Sequence, residues 1–338
     1  MKIIIDAMGG DNAPLEIVKG ALLGMEHWGV EVLLTGDTEA ILRALRDCGH
    51  DTIPRGMEIV HTAETVEMCD DPSKVFRHKK DTSMGVGLTL LRDGKADALV
   101  SAGSTGALLA GATLITKRIR GIRRAAMAPV IPTTGGKAVL IDCGANAECT
   151  PEYLVQFAYL GSYYAHRVLG VERPRVGLLN IGTEEEKGRE LEHETVKLLR
   201  NTPSINFLGY VEGRDAPIGK VDVLVTDGFT GNVFLKACEG MGILMKQSLK
   251  SMFFANLKTK IGALCVKKQL GDITKQLDYK TIGGSPLLGT AKPVFKAHGS
   301  SDAAAFLGAF RQAKMFVEKN AIEEMTSAIA ALGVKEED

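Results

Sequence analysis

Short β-branched runs alternate with segments of helical period along almost the whole chain. The runs at 2–6, 30–35, 57–61, 98–101, 138–142, 176–181, 205–210, 221–226 and 293–297 read as strands. Between them, segments such as 151–169 and 184–200 carry apolar residues at helical spacing. This alternation predicts an α/β protein whose mostly parallel sheet is covered by helices on both faces. Thr150-Pro151-Glu152 sets a hydroxyl cap, a proline at the first helical position and an acid in the positive first turn. Thr183-Glu184-Glu185-Glu186 fits a capping box, and Ser300-Ser301-Asp302 opens a helix running to about Val317. Residues 334–338 are mostly charged and read as a frayed end.

The pattern contains an internal repeat. Residues 94–106 can be laid over 219–231, with eight of thirteen positions identical and Ala96/Val221, Ala98/Val223 and Ser101/Thr226 conservative. Each copy is a strand followed by Gly-x-Thr-Gly and a helix, which predicts a duplicated strand–turn–helix unit. The first amides of a helix have no partner inside it, and the helix dipole favours negative charge there. Glycine lets the backbone approach an anion and threonine adds a hydroxyl donor, so such a turn is a phosphate cradle. Gly103, Gly106, Gly228 and Gly231 are equally able to serve as tight turns, but two related loops favour the anion reading. Other strand ends are furnished alike: Asp6-Ala7-Met8-Gly9-Gly10-Asp11, Asp142-Cys143-Gly144-Ala145-Asn146, and Asn180 through Gly188 with Gly182 and Lys187. In open α/β sheets ligands bind beyond the carboxyl ends of the strands. Asp6 and Asp142 also suit the task of tying up loop amides. Lys187, one turn into a predicted helix, opposes the dipole, so it reads as an anion ligand or as a partner of Glu184. His298, at another strand end, reads as a structural residue with at most a minor role.

Composition removes several classes of chemistry. Lysine plus arginine equals aspartate plus glutamate at 41 each, so no global field draws the chain to nucleic acid. The six cysteines form no CxxC or zinc spacing and the seven histidines no HExxH, so no metal site is expected. There is no GxxxxGK[ST], no GxGxxG after a strand and no GxSxG, and Gly85-Val86-Gly87 lacks a third glycine. With no signal peptide and no long apolar span, a reducing, cytoplasmic setting is expected.

One local patch departs from neutrality. From Lys246 to Lys275 there are seven lysines and a single acid, Asp272, interleaved with Leu249, Met252, Phe253, Leu257, Ile261, Leu264 and Leu270. A basic amphipathic helical segment of this kind, 241–280, is read as protruding. It suits an anionic membrane surface or an acidic partner, and equally a packed hairpin or dimer contact. Residues 117–124 form a second basic run.

Taken together, these residues resemble the bacterial phosphate acyltransferase family, the acyl-carrier-protein:phosphate acyltransferases of glycerophospholipid synthesis. The resemblance runs through 6–11, 101–107, 142–146, 180–188, 227–232, 283–289 and 298–302, nearly the whole chain. Ser104 stands where many relatives look like asparagine. The resemblance implies a three-layer α/β/α fold like that of isocitrate and isopropylmalate dehydrogenases and phosphotransacetylase. One mixed sheet would carry two intertwined halves, as a single domain over 1–338. It also implies a homodimer without cofactor, an acyl-carrier-protein thioester as donor and inorganic phosphate as acceptor. The acyl phosphate product would pass to a membrane acyl-phosphate:glycerol-3-phosphate acyltransferase, placing the protein peripherally at the membrane. On this reading Lys187, Thr230 and Asn232 are catalytic. Asp6, Gly9, Gly10, Ser104, Thr105, Gly106, Asn146, Gly182, Gly228, Gly231 and His298 bind phosphate or acyl-pantetheine. The rivals are a short-chain phosphotransacylase using acyl-coenzyme A, an NAD(P)-dependent isopropylmalate-type dehydrogenase, and a membrane-surface scaffold. The dehydrogenase wants clustered metal-binding aspartates, and no DxxxD set on a helix is evident.

Overall fold

The computed structural model describes residues 1–67, 69–271 and 283–331. Among the described residues the strands are β1 (Lys2–Asp6), β2 (Glu31–Gly36), β3 (Met57–His61), β4 (Ala98–Ser101), β5 (Ala126–Met127), β6 (Val130–Thr133), β7 (Gly136–Ile141), β8 (Arg175–Asn180), β9 (Asn206–Glu212), β10 (Val223–Val225), β11 (Ser285–Leu288) and β12 (Val294–Lys296). The helices are α1 (Leu15–Trp28), α2 (Thr38–Asp47), α3 (Val75–His78), α4 (Ser83–Arg92), α5 (Thr105–Gly111), α6 (Pro151–Arg167), α7 (Glu190–Arg200), α8 (Gly228–Phe254), α9 (Leu257–Cys265), α10 (Ala303–Glu318) and α11 (Ala321–Ala331).

The strands form two mixed sheets, where a single one was expected. The first has the order β3-β2-β1-β4-β12-β11-β5 and the second β6-β7-β10-β8-β9. Parallel pairing dominates both, and among the described strands the antiparallel pairs are β12–β11, β11–β5 and β6–β7. The division falls between β5 and β6. Ala128 N–H donates to Pro286 of the first sheet, while the Pro129 carbonyl accepts from Leu140 of the second. Proline has no N–H to continue a ladder, so the chain changes sheets there.

Alternate residues of each strand enter different cores, as the two-residue period requires. Ile3, Ile5, Val32, Leu34 and Val100 pack with Phe306, Phe310 and Phe157 on one face. Ile4, Leu33 and Leu99 pack with Leu88, Leu91 and Leu108 on the other. Each core also takes residues of the second sheet: Val139, Ile141 and Val223 on the first face, Leu140 and Leu224 on the second. Helices therefore cover both faces of both sheets.

Both repeat copies form strand–turn–helix units, β4–α5 and β10–α8, each strand flanked by parallel neighbours. They diverge at the cap. Ser104 caps α5, whereas Asp227 caps α8, so the second helix starts two aligned positions earlier. Two expected helix starts are also corrected. The Thr150 side chain makes no capping bond, although Pro151 does open α6. The helix expected from residue 184 begins at Glu190. Gly188 has φ +108°, which a right-handed helix cannot contain, and beyond it the Glu192 carboxylate accepts from the backbone N–H and guanidinium of Arg189 at the helix start. Lys187 therefore lies on a loop, not in a helical turn.

Among the described residues 232–271 none is buried, and α8 and α9 expose Met241, Met252, Phe254, Leu257, Ile261 and Leu264. Lys275 and Asp272 lie outside the described residues.

Candidate functional site

At the carboxyl ends of β1, β4 and β12 the chain leaves a cleft of about 600 Å³, within the usual range for a small-molecule site. Three turns shape one side of it. Gly10, with φ +103°, lets the turn after β1 reverse against the 298–301 segment, where Asp11 N–H donates to the Gly299 carbonyl at 2.9 Å. The turn after β4 contributes Ala102, Gly103, Ser104 and Thr105. The opposite side comes from the start of α8, through Asn232, Leu235, Lys236 and Glu239. The turn of the first repeat copy and the helix that follows the second copy's turn thus open on one cleft.

Beneath the cleft lies a buried polar layer. Asp6, Ser101 and Lys296 occupy one register level on the adjacent strands β1, β4 and β12. Ser101 Oγ and Ser83 Oγ each donate to Asp6 at 2.6 Å, and Gly103 N–H donates to Ser101 Oγ at 3.0 Å. Lys296 Nζ donates to the carbonyls of Ala102, at 3.2 Å, and Ala297. Burial drives both charged groups toward neutrality. It raises Asp6 despite its serine donors, and lowers Lys296 to about 8 despite the attraction of Asp6 and Asp11. Above this layer His298 Nδ1 accepts from Ser300 N–H at 3.3 Å and faces Ser300 Oγ at 2.9 Å. That assigns the proton of the neutral ring to Nε2, which lies 3.5 Å from Lys236 Nζ. Lys236 pairs instead with Glu239 at 2.8 Å.

Five of the residues expected at the site line the cleft: Gly10, Ser104, Thr105, Asn232 and His298. Asp6 and Gly9 lie directly beneath it, where a Cβ on Gly9 would stand 2.6 Å from the Asp6 carboxylate and 2.7 Å from Gly103 N. Gly106 follows Thr105 and packs on Pro72. The others brace the cleft from behind. Asn146 donates to Asp142 and to the Ala125 carbonyl. Gly228 N–H donates to the Asn146 carbonyl at 2.7 Å, and a Cβ on Gly231 would stand 2.0 Å from the Asp142 carbonyl oxygen. The Thr230 hydroxyl donates to Asp227 at 2.8 Å. Burial alone would raise Asp227, but Thr230 and Arg189 bonds hold it below the usual carboxylate range. Gly182 and Lys187 sit on the loop after β8, outside the cleft lining. Lys187 is exposed and makes no ion pair among the described residues. Arg189, two residues on, ties that loop to the head of α8 through Asp227 at 2.6 Å.

Sequence reasoning missed Lys236, Glu239 and Lys296. No group of three or more histidine, cysteine, aspartate or glutamate side chains among the described residues is placed to hold a metal. No helix among them is long and apolar enough to cross a membrane.

Two sheets, helical layers on both faces and a cleft at the strand ends define a phosphotransacylase-type α/β/α architecture. A phosphotransacetylase from Streptococcus pyogenes superposes with a TM-score of 0.62, covering 94% of each chain at 18% identity. A branched-chain phosphotransacylase from Enterococcus faecalis V583 gives 0.57 over 94% of this chain and 99% of its own, also at 18% identity. At such identities the likeness shows the fold alone. Residues 1–324 match the family described as "Fatty acid synthesis protein". The "Phosphate acyltransferase" of Thermoanaerobacterium thermosaccharolyticum is 44% identical over 333 residues, 98% of either chain. That of Desulfitobacterium hafniense strain Y51 is 47% identical over 326 residues, 96% of either chain. The chain belongs to this phosphate acyltransferase family, and the membership supports an acyltransferase acting with phosphate.

Proposed function

We propose that this protein transfers a long-chain fatty acyl group from acyl-acyl-carrier protein to inorganic phosphate, giving acyl phosphate for glycerophospholipid synthesis. The observation that carries the reading is the meeting of the first repeat's turn and the first turns of α8 at one cleft over the buried Lys296, in a chain of this family. A phosphate oxygen attacks the thioester carbonyl, an oxyanion forms, and the pantetheine sulfur departs. Ser104, Thr105 and the Gly106 amide hold phosphate from the first copy. Asn232 reaches the same space from the second and serves the phosphate or the oxyanion, while Thr230 and Gly231 fix its helix through Asp227 and Asp142. Lys187, exposed and unpaired, completes the charge from the β8 loop. Holding the two reactants together can supply roughly 7–11 kcal/mol of the barrier, so much of the work is positional. The lysine-rich, apolar exposed end of α8 and α9 favours an acidic carrier protein, an anionic membrane surface and a second copy of this chain as partners. It also favours this reading over a short-chain coenzyme A enzyme. Delivery to a membrane acyl-phosphate:glycerol-3-phosphate acyltransferase follows from that placement.

The test mixes purified protein with palmitoyl-carrier protein and phosphate and traps acyl phosphate with hydroxylamine. Phosphate-dependent hydroxamate is expected, and Asn232→Ala should lower turnover by about 10²–10³-fold if it stabilises the oxyanion. Lys187→Ala should raise the phosphate concentration needed for half-maximal rate. No phosphate-dependent hydroxamate from carrier-protein or coenzyme A donors would remove the reading.

A further inference from the structure

The buried lysine under the cleft has an arrangement that electrostatic binding alone does not require. Its amine donates to two carbonyls, those of Ala102 and Ala297, and to no other acceptor among the described residues. A neutral amine has two N–H bonds and one lone pair, whereas an ammonium has three N–H bonds. Two carbonyls therefore satisfy Lys296 in either protonation state, and the third position alternates between a proton and a lone pair. Lys296 lines the cleft, so that position is available to the substrates.

We propose that Lys296 is the proton relay of this cleft, protonating the departing thiol sulfur of the acyl donor and recovering a proton from the attacking phosphate. The inference rests on the acyl-transfer reading above and deepens it. The step balances without a further reactant. As hydrogenphosphate forms the new O–C bond, the C–S bond breaks and its electron pair leaves on sulfur. The Lys296 ammonium gives that sulfur a proton, and the phosphate hydroxyl proton passes to the amine. Hydrogenphosphate and thioester become acyl phosphate dianion and thiol, and Lys296 ends as it began.

The surroundings fit a group that exchanges protons near neutrality. Asp6 on β1 and Asp11 in the turn after it attract the ammonium, while Lys236 on α8 repels it. Glu67, Glu239 and His298 are the other ionisable groups lining the cleft. Burial is the largest influence and brings Lys296 to about 8. The relay needs the ammonium at the start, so turnover falls as pH rises through about 8.

The test compares S-octanoyl thioesters of N-acetylcysteamine and of thiophenol, with phosphate as acceptor. Wild-type acyl phosphate formation is measured first, so that failure of the functional reading registers by itself. Lys296→Met is expected to lose about 10²–10⁴-fold in kcat with the alkyl thioester and under about tenfold with the aryl one, whose thiolate leaves unprotonated. Lys296→Arg keeps the charge but cannot release a proton at these pH values, so it should follow Lys296→Met. Equal losses with both thioesters, or full activity of Lys296→Arg on the alkyl thioester, overturn the proposal. Circular dichroism checks that the variants fold. If neither folds, the wild type decides through its own leaving-group series. Rates nearly independent of thiol acidity support the relay, and a steep dependence overturns it.

Discussion

Asp6 and Asp142 end neighbouring strands of the two repeat copies, and each binds the turn beside it, but only Asp6 lies under the cleft. Asp142 is a fastener. Its Oδ1 accepts from Met127 and Cys143 N–H at 2.9 and 2.6 Å, and its Oδ2 from Asn146 N–H and Nδ2 at 2.6 and 3.0 Å. Asparagine there must turn its NH₂ toward one pair of donors, so Asp142→Asn should cost about 1–3 kcal/mol, read as a lower urea midpoint. Burial raises Asp142 from 3.8 to about 6. The folded state therefore binds a proton that the unfolded state has released, and this contribution, full below 3.8, is lost as pH rises through about 6. The gap in urea midpoint between wild type and Asp142→Asn should be wider at about pH 4.5 than at about pH 7.5. Equal gaps would contradict the assignment. Ser104, Thr105 and Asn232 were legible in the sequence because turn chemistry names its own residues. Lys296 and Lys236 were not: Lys296 reaches the cleft through the pairing of β12 with β4, far off in sequence, and Lys236 lies on α8 beyond the turn that the pattern marks.

Most elements follow from local pattern, and the misses have local or non-local causes. The run 184–189 contains good helix formers, yet Gly188 and the Arg189–Glu192 cap move the start of α7 to Glu190. β5 and β6 are too short to carry a period; β6 forms a local hairpin with β7, whereas β5 pairs with β11, far away in sequence. The repeat did predict two strand–turn–helix units, and its glycines act through close packing. Gly231→Ala would drive a Cβ into the Asp142 carbonyl, a backbone group with no rotamer to escape through. A loss of about 2–4 kcal/mol is expected. Gly240→Ala, in the same helix with nothing within 4 Å of its Cβ, should instead gain about 0.5–1 kcal/mol of helix propensity. Thermal melts of the pair test the claim, and similar shifts in both would refute it.

In the whole molecule, the two sheets share continuous cores on both faces; the base of α8 packs on one of them through Phe234 and Leu235, while α9 and the outer part of α8 contribute no buried residue. The proposed docking face therefore lies on residues that are not buried. Lys258→Glu with Lys260→Glu should weaken sedimentation with phosphatidylglycerol vesicles by tenfold or more, from about 1 kcal/mol per lysine near an anionic surface. Thermal stability should be unchanged, because neither side chain is buried. Undiminished sedimentation would remove the basic face as a membrane contact. The three-layer class and the absence of a long apolar span were readable from alternation alone. The break into two sheets was not, since it turns on the missing N–H of Pro129 between two very short strands.

α8 is unbroken from Gly228 to Phe254, 27 residues or about 40 Å, and its first turns carry Asn232, Lys236 and Glu239 into the cleft. A continuous helix of this length joins the cleft to the exposed lysine-rich end of the molecule, with its base tied to the β8 loop by the Arg189–Asp227 bond.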